Sequence, residues 1–225
     1  MQDQRAELTW RDRDVPVSTR FDDPYFSLDN GLAETCHVFV TGNDLIARFC
    51  DGFHIAELGF GTGLNFLATL RAWRTTGLTG QFHFTAFEAF PMTAADMARA
   101  LAAFPEISDE AGALVRQWDS LLRDGSVSMP GARLTLIKGD ARATLPQWHG
   151  AADAWFLDGF SPAKNPELWE DTLMAQVFEH TVPGGSVATY TAAGFVRRGL
   201  EAAGFTVTRL PGFGRKRHMT QARRP

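Results

Sequence analysis

Four acidic residues, Glu57, Glu88, Asp140 and Asp158, stand at or near the ends of four short apolar runs of the sequence. Runs of this length and composition predict β-strands. The carboxyl ends of neighbouring parallel strands meet at one edge of a sheet, and ligands bind in the crevice beyond that edge. Carboxylates placed there accept hydrogen bonds from hydroxyl and amino groups. The sequence therefore predicts one acid-lined ligand site.

A glycine-rich turn follows the first of these runs and precedes a helical pattern. Gly59, Gly61 and Gly63 let the backbone approach a ligand closely, and the N-terminus of the following helix adds a partial positive charge. A dinucleotide fingerprint would place its third glycine one residue later and hold a pyrophosphate there. Here Glu57 precedes the turn, which suits a ligand that carries both a positive charge and a carboxylate. S-adenosylmethionine is such a ligand.

The other strand-end acids suit the adenosine half of the same ligand. At the end of the second strand, the Glu88 carboxylate can accept both ribose hydroxyls. Asp140, before Ala141, can accept from the adenine amino group, although an aspartate in that position also makes an ordinary helix cap. The predicted cofactor contacts are Glu57, Gly59, Gly61, Gly63, Asn65, Glu88, Asp140 and Ala141. A short-chain dehydrogenase would carry a Tyr-x-x-x-Lys pair for hydride transfer. Neither Tyr25 nor Tyr190 has a lysine four residues on, so the sequence does not favour this class.

The elements that must position these residues alternate between strands and helices. Strands are predicted at 54–58, 82–87, 133–137, 154–157 and 186–190, and a final hairpin at 205–210 and 218–222. Helical stripes are predicted at 64–73, 97–104, 114–122, 169–177 and 196–203, the last closed by Gly204. Such alternation indicates right-handed βαβ units. The predicted fold class is α/β, a Rossmann-like class I S-adenosylmethionine-dependent methyltransferase with a mainly parallel seven-stranded sheet and helices on both faces.

Residues 1–50 carry no long periodic pattern, and we interpret them as an N-terminal extension ahead of a methyltransferase domain at 51–225. Within the extension, Arg11-Asp12-Arg13-Asp14 predicts a solvated surface segment, and the segment around Pro24-Tyr25-Phe26 is a candidate lid over the cofactor.

The composition indicates in which cellular compartment the protein is expected. The 225 residues are 44% hydrophobic and 21% charged, with a net charge of −4, and they contain no apolar stretch long enough for a membrane span. The N-terminus lacks the order of a signal peptide, so we expect a cytoplasmic protein. Cys36 and Cys50 are expected to be reduced structural thiols, and no metal site is indicated.

The rigid segment 158–169 is the most distinctive part of the sequence, because two prolines, an acid, an amide and aromatic residues follow a buried strand directly. Together with Phe21-Asp22-Asp23-Pro24-Tyr25-Phe26-Ser27, the turn at 57–63 and the segment 212–217, it resembles the methyltransferase part of the bifunctional MnmC family of tRNA wobble-uridine modification proteins. The resemblance covers most of the chain. It implies a tRNA substrate and transfer of a methyl group from S-adenosylmethionine to the amine of 5-aminomethyl-2-thiouridine, giving 5-methylaminomethyl-2-thiouridine.

The bifunctional proteins of that family add a flavin-dependent oxidase domain. The present chain ends at Pro225 without a second glycine fingerprint. We therefore expect a stand-alone methyltransferase without oxidase activity, with a separate flavin-dependent oxidase as a candidate partner.

Methyl transfer to an amine assigns roles to the residues of segment 158–169. We hypothesise that Asp158 is catalytic and accepts a hydrogen bond from the amine, either orienting it or also relaying its proton; the alternative is a loop cap. Phe160 is the stronger candidate to stack on a flipped-out base, whereas Trp169 fits core packing better. Pro162, Lys164 and Asn165 are predicted to contact the substrate.

The last basic cluster, Arg215-Lys216-Arg217, predicts contacts with tRNA phosphates, against the alternative of a solvated hairpin tip. Two other functions stay open at this point. One is an S-adenosylmethionine-dependent N-methyltransferase that acts on a small molecule or a protein. The other is a non-catalytic module that binds an adenosine cofactor.

Overall fold

The structure, a computed structural model, describes residues 4–27 and 30–225. Met1 to Asp3 and the pair at 28–29, both within the predicted extension, lie outside the described residues. A small antiparallel sheet opens the described chain, and its strands are β1 (Leu8–Arg11), β2 (Val15–Ser18) and β3 (Asp23–Pro24).

The main sheet has eight strands in the described part of the chain. They are β4 (His54–Leu58), β5 (Phe82–Glu88), β6 (Ser126–Met129), β7 (Ala132–Lys138), β8 (Ala152–Leu157), β9 (Thr181–Thr189), β10 (Thr206–Pro211) and β11 (His218–Arg223). Their spatial order is β10-β11-β9-β8-β4-β5-β7-β6. The five central strands run parallel, and antiparallel hairpins close both edges.

The seven predicted strands are confirmed, and β6 is an additional one. Its four residues alternate serine with Val127 and Met129, which is too short a pattern to mark a strand in sequence. It forms because the chain turns back at Gly131 and pairs antiparallel with β7.

Helices connect the strands and cover the sheet. They are α1 (Gly31–Thr35), followed by a π-helical turn (Cys36–Thr41), then α2 (Leu45–Arg48), α3 (Leu64–Thr75), α4 (Ala94–Leu101), α5 (Ser108–Asp124), α6 (Ala141–Thr144), α7 (Asp171–Glu179) and α8 (Gly194–Ala203). Short 3-10 turns lie at Asp12–Asp14, Pro105–Ile107, Leu145–Gln147 and Pro166–Trp169. Gly204 caps α8 with a φ of 114°, as predicted.

The helix predicted from position 169 begins two residues later, at Asp171. Trp169 ends a 3-10 turn instead, because Glu170 is extended, with a ψ of 146°.

The core has two layers, one on each face of the main sheet. Successive residues of a strand point to opposite faces. In β8, Ala154 and Phe156 pack into the layer that contains α3, α4 and α5, whereas Trp155 and Leu157 pack into the layer that contains α7 and α8. Both faces are therefore covered, which explains why β8 is apolar from Ala154 to Leu157.

Part of the predicted extension is built into the same core. Val38, Phe39 and Leu45 are buried and join the layer of α3, while Arg11 and Asp12 are exposed, as predicted. No helix in the described residues is long and apolar enough to cross a membrane.

The chain order places a crevice between β4 and β8. From β4 the chain proceeds to β5 and β7 on one side, and then to β8 and β9 on the other. Ligands of open α/β sheets bind at such a switch point, beyond the carboxyl ends of the strands.

Candidate active site

A cavity of about 1350 Å³ lies at this switch point. The predicted site residues that line it are Gly59, Gly61, Asn65, Glu88, Asp140, Ala141, Asp158, Phe160, Lys164, Asn165, Arg215 and Lys216. Glu57, Gly63, Pro162 and Arg217 are not among the lining residues. The strand ends thus bring residues from distant parts of the sequence to one site.

The glycine turn requires glycine at two positions for different reasons. At Gly59, φ is +85°, and a Cβ would lie 3.0 Å from the carbonyl oxygen of Asp158. At Gly63, the N-cap of α3, φ is +78°, and a Cβ would lie 2.9 Å from Leu114 Cδ2 and 3.0 Å from Phe60 Cζ. Gly59 therefore lets two strand ends approach each other, whereas Gly63 is a packing requirement behind the cavity wall.

Glu88 holds the turn from the end of β5. Its Oε2 accepts from the backbone N–H groups of Phe60 and Gly61, at 2.9 and 3.0 Å, and its Oε1 accepts from that of Phe90 at 2.7 Å. The side chain is nearly buried but still lines the cavity. An ionised carboxylate has about four acceptor positions, so Oε1 retains capacity for a further donor.

Asp140 has the helix-cap geometry that was one of its two sequence interpretations. It accepts from the Arg142 backbone N–H at 2.9 Å and so caps α6, and it forms an ion pair with the Arg142 guanidinium at 2.6 Å. The hydrogen bonds from Arg142 lower the pKa of the carboxyl. Contact with an adenine amino group stays a prediction, since both Asp140 and Ala141 line the cavity.

Asn65 connects three polar side chains at the base of the cavity. Its Nδ2 donates to Glu57 Oε1 at 2.7 Å and to Asp158 Oδ2 at 2.5 Å, and its Oδ1 accepts from the Thr35 hydroxyl at 2.9 Å. The Asp158 carboxylate fixes the orientation of the amide, because a carboxylate only accepts, whereas the Thr35 hydroxyl can donate or accept. Asn65 is therefore a fixed donor between two carboxyl groups.

The two carboxyl groups differ in environment. Glu57 is fully buried behind Asn65, and its Oε2 has no hydrogen-bond partner among the described residues. Burial, and then the nearby Asp158 charge, raise the pKa of Glu57 well above its ordinary value. Asp158 faces the cavity, and burial raises its pKa to about 6, against the opposing effects of the Asn65 hydrogen bond and the Lys216 charge. Asp158 is thus the group suited to exchange a proton near neutral pH.

Two aromatic side chains, the half-buried Tyr190 and the buried Trp169, anchor the loop that follows Asp158. The Tyr190 hydroxyl donates to the Gly159 carbonyl at 2.8 Å, and Trp169 Nε1 donates to the Phe160 carbonyl at 2.9 Å. Trp169 is 2% exposed and belongs to the core, as predicted. The position of Asp158 is consequently fixed from both sides, by Asn65 and by the anchored loop.

Residues of the extension cover the same loop. The Phe160 ring stacks on Phe21 at a centroid distance of 4.8 Å and meets Tyr25 edge-on at 4.9 Å. Lys164 Nζ forms an ion pair with Asp22 Oδ2 at 2.7 Å. Phe160 and Lys164, two predicted substrate contacts, therefore face the segment 21–25.

The C-terminal hairpin separates its three basic residues. Lys216 reaches Glu34, with 2.6 Å between Nζ and Oε1, and lies over the Tyr190 ring. Arg215 is exposed at the edge of the cavity, and Arg217 is exposed outside its lining. The predicted cluster is thus not one uniform surface patch.

Sequence reasoning did not assign Glu34, Thr35 or Tyr190 to the site. Glu34 and Thr35 belong to a five-residue helix with no periodic pattern, and nothing in the sequence links them to Asn65. For Tyr190, its position at the end of a predicted strand was an available signal, since strand ends gather at the ligand edge. Among the described residues, no group of three or more histidine, cysteine or acidic side chains is arranged to hold a metal ion.

The open, mainly parallel sheet, the glycine turn and the acid-lined crevice define a Rossmann-like enzyme of the methyltransferase class. The chain belongs to a family of S-adenosyl-L-methionine-dependent methyltransferases, whose sequence profile matches residues 105–225. Its cofactor is S-adenosylmethionine.

Three similar proteins extend this result. The chain is 46% identical over 98% of its length to the "tRNA 5-methylaminomethyl-2-thiouridine biosynthesis bifunctional protein MnmC" of Caulobacter sp. (strain K31), and 45% identical over 95% of its length to the protein of that name from Ectopseudomonas mendocina (strain ymp). It spans 38% and 34% of these relatives. A crystal structure of MNMC2 from Aquifex aeolicus has a TM-score of 0.77 at 24% identity, over 98% of this chain and 71% of that one, and shows the same fold.

Proposed function

We propose that the protein transfers a methyl group from S-adenosylmethionine to the amine of 5-aminomethyl-2-thiouridine at the wobble position of tRNA, giving 5-methylaminomethyl-2-thiouridine. The observation that carries this proposal is the fixed carboxyl group of Asp158, which faces the cavity with a pKa of about 6. Relatives that are 44–46% identical to this chain are named for the biosynthesis of 5-methylaminomethyl-2-thiouridine in tRNA, and this supports the choice of acceptor.

The residues present fit the cofactor. The cavity is lined both by carboxylates (Glu34, Glu88, Asp140 and Asp158) and by cationic side chains (Arg20, Arg142, Lys164, Arg215 and Lys216), which suits a ligand that carries a positive charge and a carboxylate. Behind its wall, the unpartnered Oε2 of Glu57 leaves one buried acceptor to satisfy. We assign cofactor binding to the residues predicted for it, namely Glu57, Gly59, Gly61, Gly63, Asn65, Glu88, Asp140 and Ala141. When bound, S-adenosylmethionine supplies an electrophilic methyl group on a positively charged sulfur.

Asp158 acts on the acceptor amine. An alkylamine has a pKa of about 10.4, taking lysine as a guide, and is mostly protonated at neutral pH. It must lose a proton before its lone pair is available. Asp158 accepts a hydrogen bond from the amine, orients it, and takes up the proton that it releases, which then passes to water. A carboxyl group with a pKa of about 6 is ionised at neutral pH and can still be protonated transiently.

The loop after Asp158 binds the modified base. Phe160 stacks on it, while Pro162, Lys164 and Asn165 border it and Arg215 and Arg217 contact the backbone phosphates. Because Phe21 and Tyr25 now pack on Phe160, the segment 20–27 acts as a lid that moves when the base enters. We retain the division into an extension at 1–50, which contains this lid, and a methyltransferase domain at 51–225, into whose core Val38, Phe39 and Leu45 of the extension pack.

The acceptor amine must be produced by a preceding reaction. The relatives are named as bifunctional proteins. A separate flavin-dependent oxidase is the partner that we propose for the present chain, and the cytoplasm, where tRNA is modified, is the proposed location.

The test is incubation of the protein with labelled S-adenosylmethionine and bulk tRNA from cells blocked at the aminomethyl stage, followed by nucleoside analysis. We expect label in one wobble nucleoside, and loss of that label in Asp158→Asn. Label only in small molecules or protein would support another acceptor, and no transfer despite cofactor binding would support the non-catalytic alternative.

A further inference from the structure

The ammonium group of Lys216 is held at the wall of the cavity by residues of the chain itself. Its Nζ lies 2.6 Å from Glu34 Oε1 and 4.5 Å from the centroid of the Tyr190 ring. Glu34 belongs to α1, Tyr190 follows β9, and Lys216 lies in the turn between β10 and β11. All three line the cavity that contains Asp158.

A carboxylate and an aromatic face together recognise a cation with hydrogen-bond donors, which is the chemistry of a primary alkylammonium group. Glu34 is the more enclosed partner of the ion pair, with 13% of its side chain exposed, against 47% for Lys216. Tyr190 is held in place by its hydrogen bond to the Gly159 carbonyl. Glu34 is thus largely enclosed and Tyr190 is anchored, whereas Lys216 is the more exposed of the two charged partners.

Glu34 and Tyr190 are adjacent to the groups that act on the amine. Gly159, the acceptor of the Tyr190 hydroxyl, follows Asp158 directly, and Thr35, next to Glu34, donates to Asn65. The charges of Glu34 and Lys216 also act in opposite directions on the pKa of Asp158, Glu34 raising it and Lys216 lowering it. A cation in this position lies within electrostatic reach of the carboxyl group that receives the proton.

We propose that Glu34 and Tyr190 form the subsite that binds the ammonium group of the acceptor, and that Lys216 occupies this subsite in the free protein. The ligand class is a primary alkylammonium group, which rests on the proposed function. Two cations repel each other at one carboxylate, so Lys216 leaves when the acceptor amine enters. The phosphates of the tRNA provide an alternative partner for the displaced Lys216.

The test compares two acceptors at saturating S-adenosylmethionine: tRNA and the free nucleoside 5-aminomethyl-2-thiouridine, which has no phosphate. For the nucleoside, Lys216→Met lowers KM about 3- to 10-fold, since the competing state no longer has its partly exposed ion pair and its cation–π interaction. For tRNA, the same variant raises KM. Arg209→Met, which removes an exposed cation from the same hairpin outside the cavity lining, changes neither value.

Substitution of Glu34 or Tyr190 is expected to have the opposite effect on KM for the nucleoside. Glu34→Gln raises KM for the nucleoside about 10- to 100-fold, because a charge-assisted hydrogen bond is lost, and changes kcat less than threefold. Tyr190→Leu also raises KM, whereas Tyr190→Phe, which retains the ring, raises it less. The proposal is overturned if Lys216→Met leaves KM for the nucleoside unchanged or raises it, or if Glu34→Gln lowers kcat alone.

A binding measurement separates this proposal from the proposed function. The chain contains only three lysines, Lys138, Lys164 and Lys216, so the side-chain ammonium signals of ¹⁵N-lysine-labelled protein are few enough to assign. Addition of the nucleoside shifts the Lys216 signal in the wild type and not in Glu34→Gln. If this shift occurs but tRNA is not methylated, the subsite stands and the proposed acceptor fails. Methylation of tRNA without the shift refutes the subsite alone.

Discussion

The side-chain amide of Asn65 lies 2.5 Å from the carboxyl group of Asp158 and donates a hydrogen bond to it from the first turn of α3. The same nitrogen donates to the buried Glu57 at 2.7 Å. One residue of the strand-turn-helix unit that we assign to the cofactor thus holds the carboxyl group of Asp158 in position and opposes the rise in its pKa that burial causes.

Asn65→Ala is expected to lower kcat about 10- to 100-fold, since small displacements of a reacting group have effects of this size. The Asn65 hydrogen bond lowers the pKa of Asp158, so its loss moves the acidic limb of the pH–rate profile to higher pH. Thr69→Val is the control, because within residues 4–27 and 30–225 the Thr69 hydroxyl bonds only to the backbone carbonyl of Asn65. An unshifted acidic limb in Asn65→Ala would contradict the role assigned to the amide.

Asp158→Asn is expected to reduce kcat at least about 100-fold, the lower end of acid–base contributions. In the wild type, activity falls as the pH drops below about 6, since Asp158 loses its charge there. Steady-state rates between pH 5 and pH 9 measure both effects. Wild-type rates that stay constant across pH 6 would exclude the proposed proton acceptor.

The same substitution has a predictable effect on stability. Because folding raises the pKa of Asp158 from 3.8 to about 6, its favourable contribution is present below pH 3.8 and is lost as the pH rises through 6. Asp158→Asn should therefore have a higher Tm than the wild type at pH 8, with a difference that shrinks towards pH 5. Thermal unfolding at the two pH values tests the sign, and equal differences at both would contradict it.

The segment 20–27 should be protected when the cavity is filled. Arg20 is exposed and precedes Phe21, which stacks on Phe160. S-adenosylmethionine is expected to slow tryptic cleavage after Arg20 and to leave cleavage after Arg123, exposed near the end of α5, unchanged. Phe21→Ala should accelerate the first cleavage. Equal protection at both arginines would indicate general stabilisation and not a lid.

The double variant Arg215→Ala/Arg217→Ala is expected to weaken tRNA binding and to reduce the slope of log K against log salt by up to about two, one for each phosphate that an arginine no longer neutralises. Affinity for S-adenosylmethionine, measured by calorimetry, stays unchanged. Arg198→Ala, an exposed arginine on α8 outside the cavity lining, is the matched control. A slope equal to that of the wild type would assign both arginines to the solvated hairpin tip.

Gly63→Ala tests the packing behind the glycine turn. Both Gly63 and Gly77 have positive φ values, +78° and +68°, but a Cβ at Gly77 meets nothing within 4 Å. Backbone strain alone costs about 1–3 kcal/mol, and the close approach to Leu114 and Phe60 adds to it only at position 63. Denaturant unfolding should show a larger decrease in stability for Gly63→Ala than for Gly77→Ala. Equal decreases would mean that strain is the whole effect.

Much of the fold follows from the sequence, because local patterns suffice for it. Consecutive apolar residues marked β8, and the strand-end rule collected Glu88, Asp140 and Asp158 at one edge. Strand β6 was not predicted, because four residues, two of them serines, are too few to show the alternation of apolar and polar residues that marks a strand.

The sequence could not provide contacts that depend on long-range packing. The hydrogen bond from Thr35 to Asn65 joins residues 30 positions apart, and only the folded chain brings them together. Nor does the sequence tell which of Arg215, Lys216 and Arg217 turns towards Glu34, since all three are basic and adjacent.

The two anchors of the loop after Asp158 have a consequence for how acceptor preference can change. Tyr190 and Trp169 donate hydrogen bonds to the backbone carbonyls of Gly159 and Phe160. These bonds do not depend on which side chains residues 160–165 carry. Side chains of a loop that is anchored through its backbone can be substituted without changing the backbone conformation. A few substitutions among residues 160–165 are therefore expected to change the preferred amine, while the position of Asp158 is retained.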